Sequence, residues 1–198
     1  MGERPFVTTE LPYRTIEVCD GFIPVDGSDL QSLFAGHAWS FGWKSNGKRD
    51  VNSFWHKHFI ENQDKSSQQR RDLYCEGRFP EIDRIWNLVK NHVGRPVEKL
   101  HRVYANGLTY GLEGRLHTDS AHCNDVTALI YVNPFWVPAW AGETLFFGEN
   151  GLTEAVTPSP GRLILFNGTT PHVARAPSRD CPILRITLMF KFRLAIMQ

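Results

Sequence analysis

The sequence predicts an α+β protein that is mainly β, in which supporting helices precede a sandwich or barrel of short strands. Two observations predict this class. Apolar residues recur at helical spacing in the first half, whereas after Pro96 they form short runs bounded by Gly, Pro, Asn or Asp. A chain of 198 residues suits one domain, residues 1–198, with a helical and lid region over residues 1–96 and a strand core over residues 97–198.

The first half is expected to supply the helices. Residues 26–28 offer capping groups to a short helix that ends near Gly36. Residues 63–71 are polar and predict a solvated helix. Pro80 fits the first turn of a longer helix that ends near Gly94. The apolar residues of this longer helix recur at helical spacing: Ile82, Ile85, Trp86 and Val89.

Residues 39–59 are rich in aromatic and basic side chains and follow no clear period. Such a stretch predicts either a lid with aromatic anchors or a layer of aromatic rings that packs onto the sheet. Trp43 and Trp55 are therefore candidates for contact with a substrate.

The second half is expected to form the strands. The predicted strands cover residues 97–104, 108–115, 126–133, 143–147, 153–156, 162–166, 173–176 and 183–192. So many short strands with regular punctuation favour a sandwich or barrel. Residues 134–142 are too rich in proline for a regular strand, and Trp140 within them would lie at the mouth or at the bottom of such a barrel.

Charge and cysteine content exclude several classes of protein. The 22 basic and 21 acidic residues give a net charge of +1, so neither a nucleic-acid surface nor a membrane surface is indicated. The N-terminus lacks the apolar region of a signal peptide, and no apolar run approaches the length of a membrane span. The four scattered cysteines are expected to be free thiols, which favours a cytoplasmic location.

The triplet His117-Thr118-Asp119 predicts a metal site. In an extended strand alternate side chains share a face, so His117 and Asp119 point toward one centre. A lone triplet of this kind is weak, but His172 on a later strand would complete two histidines and one carboxylate. That facial triad is typical of non-haem Fe(II) oxygenases.

Arg185 provides an independent signal, because it lies in a predicted strand whose neighbours are nearly all apolar. A buried guanidinium without an anion is costly. No Asp or Glu follows Asp180 in the sequence, so the carboxylate of a bound ligand is a candidate partner.

On these residues the chain resembles the Fe(II)/2-oxoglutarate-dependent dioxygenases, in particular the prolyl 4-hydroxylase-like branch. The resemblance runs from about residue 100 to residue 192. It is carried by the order and spacing of Arg102-Val103-Tyr104-Ala105-Asn106-Gly107, His117-Thr118-Asp119, Gly142-Glu143-Thr144-Leu145-Phe146, Pro171-His172 and Arg185-Ile186-Thr187. It implies a double-stranded β-helix core, the jelly roll also found in cupins, which carries the metal site.

The resemblance implies that His117, Asp119 and His172 are the catalytic residues and bind Fe(II). The expected co-substrates are 2-oxoglutarate and O2, with ascorbate as an optional reductant. The expected reaction hydroxylates an unactivated C–H bond and releases succinate and CO2. In related halogenating enzymes a small residue replaces the carboxylate, so Asp119 argues against halogenation and leaves desaturation and epoxidation as alternatives.

The resemblance also implies a binding site for 2-oxoglutarate. Its residues are Arg185 for the distal carboxylate, with Tyr104, Thr187 and Tyr131 beside it. Arg185 follows His172 at a longer spacing than the family usually has, so Arg175 and Arg179 are rival anchors.

The substrate stays open at this stage. We expect a small molecule such as an amino acid or a natural-product intermediate, and the resemblance allows peptidyl proline as the alternative. An alternative to the enzyme is a non-catalytic, cupin-like protein that binds a metal or ligand. A second alternative replaces the iron site with a zinc site of His117, His122 and Cys123. The candidate substrate residues are Arg102, Arg115, Trp43, Trp55 and Trp140.

Overall fold

A computed structural model of the chain describes residues 16–35, 39–45, 52–60 and 79–196. The helix expected over residues 63–71 lies outside these ranges. The described elements are β1 (Glu17–Cys19), α1 (Ser28–Phe34), β2 (Ser40–Trp43), β3 (Phe54–Ile60), α2 (Pro80–Val93), β4 (Val97–Leu108), β5 (Asp125–Tyr131), a 3-10 helix (Pro138–Trp140), β6 (Thr144–Gly148), β7 (Gly151–Val156), β8 (Leu163–Asn167), β9 (His172–Ala174) and β10 (Arg185–Leu194). The predicted α+β, mainly β class is confirmed.

The strands form two antiparallel sheets. The larger sheet has seven strands in the order β1-β8-β5-β10-β4-β3-β2, and the smaller has three in the order β7-β6-β9. Strand β10 lies at the centre of the larger sheet, where it pairs with β4 on one side and with β5 on the other.

The helices cover the outer face of the seven-stranded sheet. Helix α2 begins at Pro80, as predicted, and ends before Gly94. Its ring of Trp86 stacks on Phe190 of β10 with centroids 5.5 Å apart. The buried apolar residues of α2 belong to the same core: Ile82, Ile85, Val89 and Val93. This core therefore fixes one face of β10, and the other face is left for the space between the sheets.

Alternation along β10 places polar side chains in that space. Leu188 and Phe190 belong to the core under the helices. Because successive side chains in a strand point to opposite faces, Arg185, Thr187 and Lys191 share the opposite face. These three residues line the cavity between the two sheets. A buried arginine and a buried lysine thus point into the interior from one central strand.

Two parts of the sequence differ from the predicted elements. Residues 108–115 do not form a strand after Leu108, because the chain leaves the sheet in a turn in which Leu112 N donates to Thr109 O at 3.0 Å. In the aromatic stretch 39–59, β2 and β3 form the edge of the seven-stranded sheet, next to β4.

Within the described residues, no helix is long and apolar enough to cross a lipid bilayer. Cys19, Cys123 and Cys181 are free thiols.

Gly161 is expected to be among the glycines least tolerant of substitution. Its φ is +68°, and a Cβ built on it would lie 2.0 Å from the carbonyl oxygen of Ile23. Gly21 has a similar φ of +60° but nothing within 4 Å, so Gly21→Ala is the matched control. We expect Gly21→Ala to lower the free energy of unfolding by about 1 kcal/mol. Gly161→Ala should cost about 1–3 kcal/mol more, because backbone must move. Urea unfolding measures both, and equal losses would contradict the predicted clash.

Candidate metal and carboxylate-binding site

The backbone brings His117 and His172 together. Their amides and carbonyls bond reciprocally, with His117 N donating to His172 O at 3.1 Å and His172 N donating to His117 O at 2.9 Å. The two imidazole rings consequently lie side by side, with centroids 4.5 Å apart. His172 is 4% exposed, at the start of β9.

Hydrogen bonds define the tautomers of both histidines. His117 Nδ1 lies 2.7 Å from the carbonyl oxygen of Arg115, and His172 Nδ1 lies 2.9 Å from that of Thr170. A carbonyl oxygen only accepts, so each Nδ1 must carry the proton. Each Nε2 then has a free lone pair, which is the state that binds a metal.

Asp119 completes the donor set. Its Oδ1 lies 3.5 Å from His117 Nε2, and its Oδ2 lies 3.8 Å from His172 Nε2. The Asp119 amide donates to Gly168 O at 2.8 Å, which holds this segment against the turn before His172. One donor atom from each of the three residues lies within 4.8 Å of the others. The structure therefore brings together the three ligands predicted from the sequence.

Both oxygens of Asp119 also accept hydrogen bonds from the protein. Lys191 Nζ donates to Oδ1 at 2.5 Å, and Thr127 Oγ1 donates to Oδ2 at 2.6 Å. Burial alone would raise the pKa of Asp119, but the charge of Lys191 and the two neighbouring histidines outweigh it and hold the pKa well below its usual value. The carboxylate is thus held ionised in the interior.

These donors fit Fe(II). Two imidazole nitrogens and a carboxylate form a facial set and leave the opposite side of the ion open. His122 and Cys123 are both exposed, and neither joins His117 in a cluster of ligands within the described residues. The alternative zinc site is therefore wrong.

Arg185 lies on the same face of β10 as Lys191, at the start of the strand, and is 0% exposed. Its Nε donates to Gly142 O at 2.6 Å, and its Nη2 donates to Thr144 Oγ1 at 3.0 Å and to Tyr131 OH at 3.3 Å. Burial lowers the pKa of Arg185, although Tyr131 opposes this effect. Among the described residues no carboxylate lies within ion-pair distance of this guanidinium, so its charge has no direct counterion.

One cavity joins the arginine to the histidine–aspartate cluster. It is lined by Arg185, Thr187 and Tyr104 and also by the three candidate ligands. The Tyr131 hydroxyl accepts a hydrogen bond from Arg185 Nη2 and also bonds Thr144 Oγ1 at 2.8 Å. The residues predicted for 2-oxoglutarate therefore lie around Arg185 or between it and the candidate metal ligands.

A second, outer cleft of about 560 Å³ adjoins this cavity. Arg102 and Trp43, both candidate substrate residues, line the cavity and the cleft alike. The structure places the other three candidates elsewhere. Arg115 is exposed, Trp55 packs against Phe41 at the sheet edge, and Trp140 packs against Phe135 and Trp136.

The rival arginines have other neighbours. Arg175 is paired with Glu113 at 3.3 Å and its side chain is 51% exposed. Arg179 is also exposed, and its Nη2 lies 3.4 Å from Tyr110 OH. Neither lines the cavity that holds the histidine–aspartate cluster, as far as the described residues show.

Three polar residues of the site did not emerge from the sequence: Lys191, Thr127 and Thr144. A signal for Lys191 was present, because it is a lone cation within Leu188-Met189-Phe190-Lys191-Phe192, just as Arg185 is a lone cation among apolar neighbours. Thr127 and Thr144 carry no such signal, since threonine is common in strands.

Asp125 anchors the turn that follows Asp119. Arg193 donates to it through Nε at 2.6 Å and Nη2 at 3.1 Å, and Ser120 Oγ donates at 2.6 Å. Burial alone would raise the pKa of Asp125, but these bonds outweigh it and lower the pKa. A carboxyl whose folded pKa is lowered stabilises the fold above its unfolded pKa of about 3.9, and this contribution is lost as the pH falls through the folded value.

We therefore expect Asp125→Asn to lower the free energy of unfolding at neutral pH by about 1–3 kcal/mol. The difference from the unsubstituted protein should shrink at about pH 3, because this pH lies below the unfolded pKa and protonation of Asp125 then favours the unfolded chain, whereas the amide of the variant does not titrate. The control is Asp20→Asn, whose partner is Arg162 and whose side chain is 68% exposed, so little change is expected. Urea unfolding at the two pH values measures both. A loss that is independent of pH would contradict the ionic origin of the effect.

Comparison with known proteins shows the fold. No family model matches the chain, and no curated protein matches it. Among solved structures, a prolyl-4-hydroxylase from Pseudomonas putida matches with a TM-score of 0.57 and 18% identity over 91% of this chain and 93% of the other. A prolyl hydroxylase from Trichoplax adhaerens, solved with a hypoxia inducible factor peptide fragment, matches with a TM-score of 0.62 and 16% identity over 90% and 83%.

A third structural match has a different reaction. SnoN, a non-haem α-ketoglutarate-dependent epimerase of nogalamycin biosynthesis, matches with a TM-score of 0.58 and 14% identity over 91% of this chain and 76% of the other. The chain therefore has the fold of the prolyl hydroxylases and related oxygenases, and the predicted double-stranded β-helix is confirmed.

Proposed function

We propose that this chain is a non-haem Fe(II)/2-oxoglutarate-dependent dioxygenase that hydroxylates an unactivated C–H bond of a small molecule, such as an amino acid or a natural-product intermediate. Succinate and CO2 would be the other products. The observation that carries this proposal is the shared cavity. At one end two imidazoles and a carboxylate converge, and at the other end lies a buried arginine that has no carboxylate within ion-pair distance among the described residues.

In this proposal His117, Asp119 and His172 hold Fe(II) on one side and leave its other side to the co-substrates. Bound Fe(II) and 2-oxoglutarate supply the activation of O2 that makes an unactivated C–H bond reactive. The task of the three side chains is to fix the position of the ion. The carbonyl oxygens of Arg115 and Thr170 fix the imidazole orientations, and such supporting bonds raise metal affinity.

Arg185 is assigned the distal carboxylate of 2-oxoglutarate. Its guanidinium is held by Gly142 O, Thr144 Oγ1 and Tyr131 OH, all of them neutral acceptors, so its charge is available to a ligand. Tyr131 and Thr144 also offer hydroxyls at the same place. An arginine fixed in advance in a site with little water binds a carboxylate at low entropic cost.

Exclusion of water is the remaining task of the chain. The apolar side chains of Leu129 and Met189 line the cavity. The buried rings of Phe146 and Phe166, whose centroids lie 5.0 Å apart, belong to the same apolar cluster as these two residues. Both phenylalanine rings also contact His172. Such walls keep bulk water from the reacting groups and strengthen the electrostatic contacts there.

Peptidyl proline is the second candidate substrate. Two of the structural matches are prolyl hydroxylases, and one of them was solved with a peptide fragment. The outer cleft of about 560 Å³ is of a size that suits a small molecule, which supports the first candidate. Within the oxygenase proposal, the presence of Asp119 argues against halogenation, and desaturation and epoxidation stay as alternatives to hydroxylation.

The test is succinate release from 2-oxoglutarate by metal-stripped protein resupplied with Fe(II) or with Zn(II). We expect release with Fe(II) and O2, and none with Zn(II) or without O2. Ascorbate is included to keep the iron reduced. Free amino acids and proline-containing peptides are then compared for their stimulation of this release. Binding of Fe(II) without succinate release under any of these conditions would favour the non-catalytic, cupin-like alternative.

A further inference from the structure

Arg102 lies where the inner cavity meets the outer cleft. It is on β4 and pairs in register with Lys191 of β10. Both residues line the cavity and the cleft, together with Asp119. The guanidinium thus lies next to the candidate metal ligands, six positions along the sheet from Leu108, which is the register partner of Arg185.

Two aromatic rings fix the plane of this guanidinium. Its Cζ lies 4.8 Å from the ring centroid of Trp43 and 4.9 Å from that of Tyr104. Cation–π contacts of this kind hold the group in place but use none of its N–H donors. Arg102 is thereby ordered before any ligand binds.

The Nε and Nη2 donors of Arg102 are buried and have no hydrogen-bond acceptor among the described residues. The carboxylates that line the cleft are otherwise engaged or exposed: Asp119 bonds Lys191 and Thr127, Asp125 bonds Arg193, and Glu98 is exposed. The positive charge of Lys191 already balances Asp119, so Arg102 adds an uncompensated charge beside them. Buried donors of this kind are costly unless a ligand satisfies them.

The two unsatisfied donors lie on one edge of the Arg102 guanidinium. Nε–H and one N–H of Nη2 point the same way and are spaced to bind both oxygens of a carboxylate. The same chain uses this arrangement elsewhere, since Arg193 binds the two oxygens of Asp125 through Nε and Nη2. Lysine could not provide it, because an ammonium lacks the planar pair.

We propose that the substrate carries a carboxylate and that Arg102, held by contact with the rings of Trp43 and Tyr104, binds this carboxylate, so that the rest of the molecule lies over the metal site. This inference rests on the proposed oxygenase function and narrows its substrates to small molecules that carry a carboxylate. Arg102 is then the residue that positions the substrate, while Arg185 serves the co-substrate.

The experiment uses matched probes. Each of the common free L-amino acids and its carboxamide is tested for stimulation of succinate release by the Fe(II)-loaded protein with saturating 2-oxoglutarate. We expect one or more of the free acids to stimulate, and the matching carboxamide to have a kcat/KM at least about 10-fold lower. Stimulation by amides alone, or no response to any free acid in the panel, would overturn the proposal.

Variants then locate the contact. Arg102→Gln is expected to raise the KM for the active acid about 30-fold or more, and Arg102→Lys to restore only part of the affinity, because the charge returns without the paired donors. The control is Arg84→Gln, which removes an exposed arginine of α2 that lines neither the cavity nor the cleft and should change this KM less than about twofold. Thermal unfolding checks that each variant is folded.

Two outcomes separate this proposal from the oxygenase function itself. If Arg102→Gln raises the requirement for 2-oxoglutarate rather than for the acid, Arg102 belongs to the co-substrate site and the proposal is overturned. The visible absorption of the anaerobic Fe(II)–2-oxoglutarate complex is recorded without any probe. If that absorption is absent from the unsubstituted protein, the oxygenase function fails, and the proposal for Arg102 fails with it.

Discussion

Asp119→Ala is expected to lower succinate formation by at least about 10³-fold and to weaken Fe(II) binding. Loss of a partner that merely supports a metal ligand typically costs about 10–100-fold, so loss of one of three ligands should cost more. Succinate formation with saturating 2-oxoglutarate and a titration of metal binding measure the two effects. Unchanged succinate production would contradict the assignment of Asp119 as a ligand.

This variant needs a control for folding, because Asp119 is also the partner of Lys191. Removal of the carboxylate leaves the ammonium buried without a counterion, and such a loss typically destabilises by about 3–5 kcal/mol. In the double variant Asp119→Ala with Lys191→Met both charges are gone, so stability should recover while activity stays low. Recovery of activity along with stability would mean that the single variant was merely unfolded.

Arg185→Ala is expected to raise the apparent Kd for 2-oxoglutarate by at least about 100-fold, because the distal carboxylate would lose a buried, charged donor pair. Arg179→Ala is the matched comparison, since it removes an exposed arginine of the loop between β9 and β10 and should change the Kd less than about twofold. The thermal shift that 2-oxoglutarate produces in metal-loaded protein reports binding without turnover. The opposite ranking of the two variants would move the anchor to Arg179.

The sequence was sufficient to identify the candidate metal ligands and Arg185 because their signals are local or chemically rare. The spacing of two residues predicted that His117 and Asp119 converge, although in the structure His117 forms an isolated bridge to His172 and not a strand. Arg185 is a charge among apolar neighbours. The same rule, applied once more along β10, would also have found Lys191. The neighbouring residues do not show the ion-pair partner of Lys191, because Asp119 lies far away in the sequence.

Other features depended on contacts that no local pattern carries. The register of Arg102 with Lys191 and the contact of Arg102 with Trp43 depend on pairings between distant strands. The apolar residues Leu108 and Leu112 suggested a second strand, but the turn between them takes the chain out of the sheet. Alternation alone cannot distinguish a strand from an extended loop, because tertiary pairing decides between them.

The reciprocal main-chain bonds between His117 and His172 link metal binding to the thermal stability of the protein. Folding already sets the spacing of the two imidazoles, so binding of an ion to the folded chain costs little further conformational entropy. The unfolded chain has no equivalent arrangement of ligands. Because only the folded chain binds the ion in this way, the midpoint of heat denaturation should rise with free metal concentration, and unfolding should release the ion.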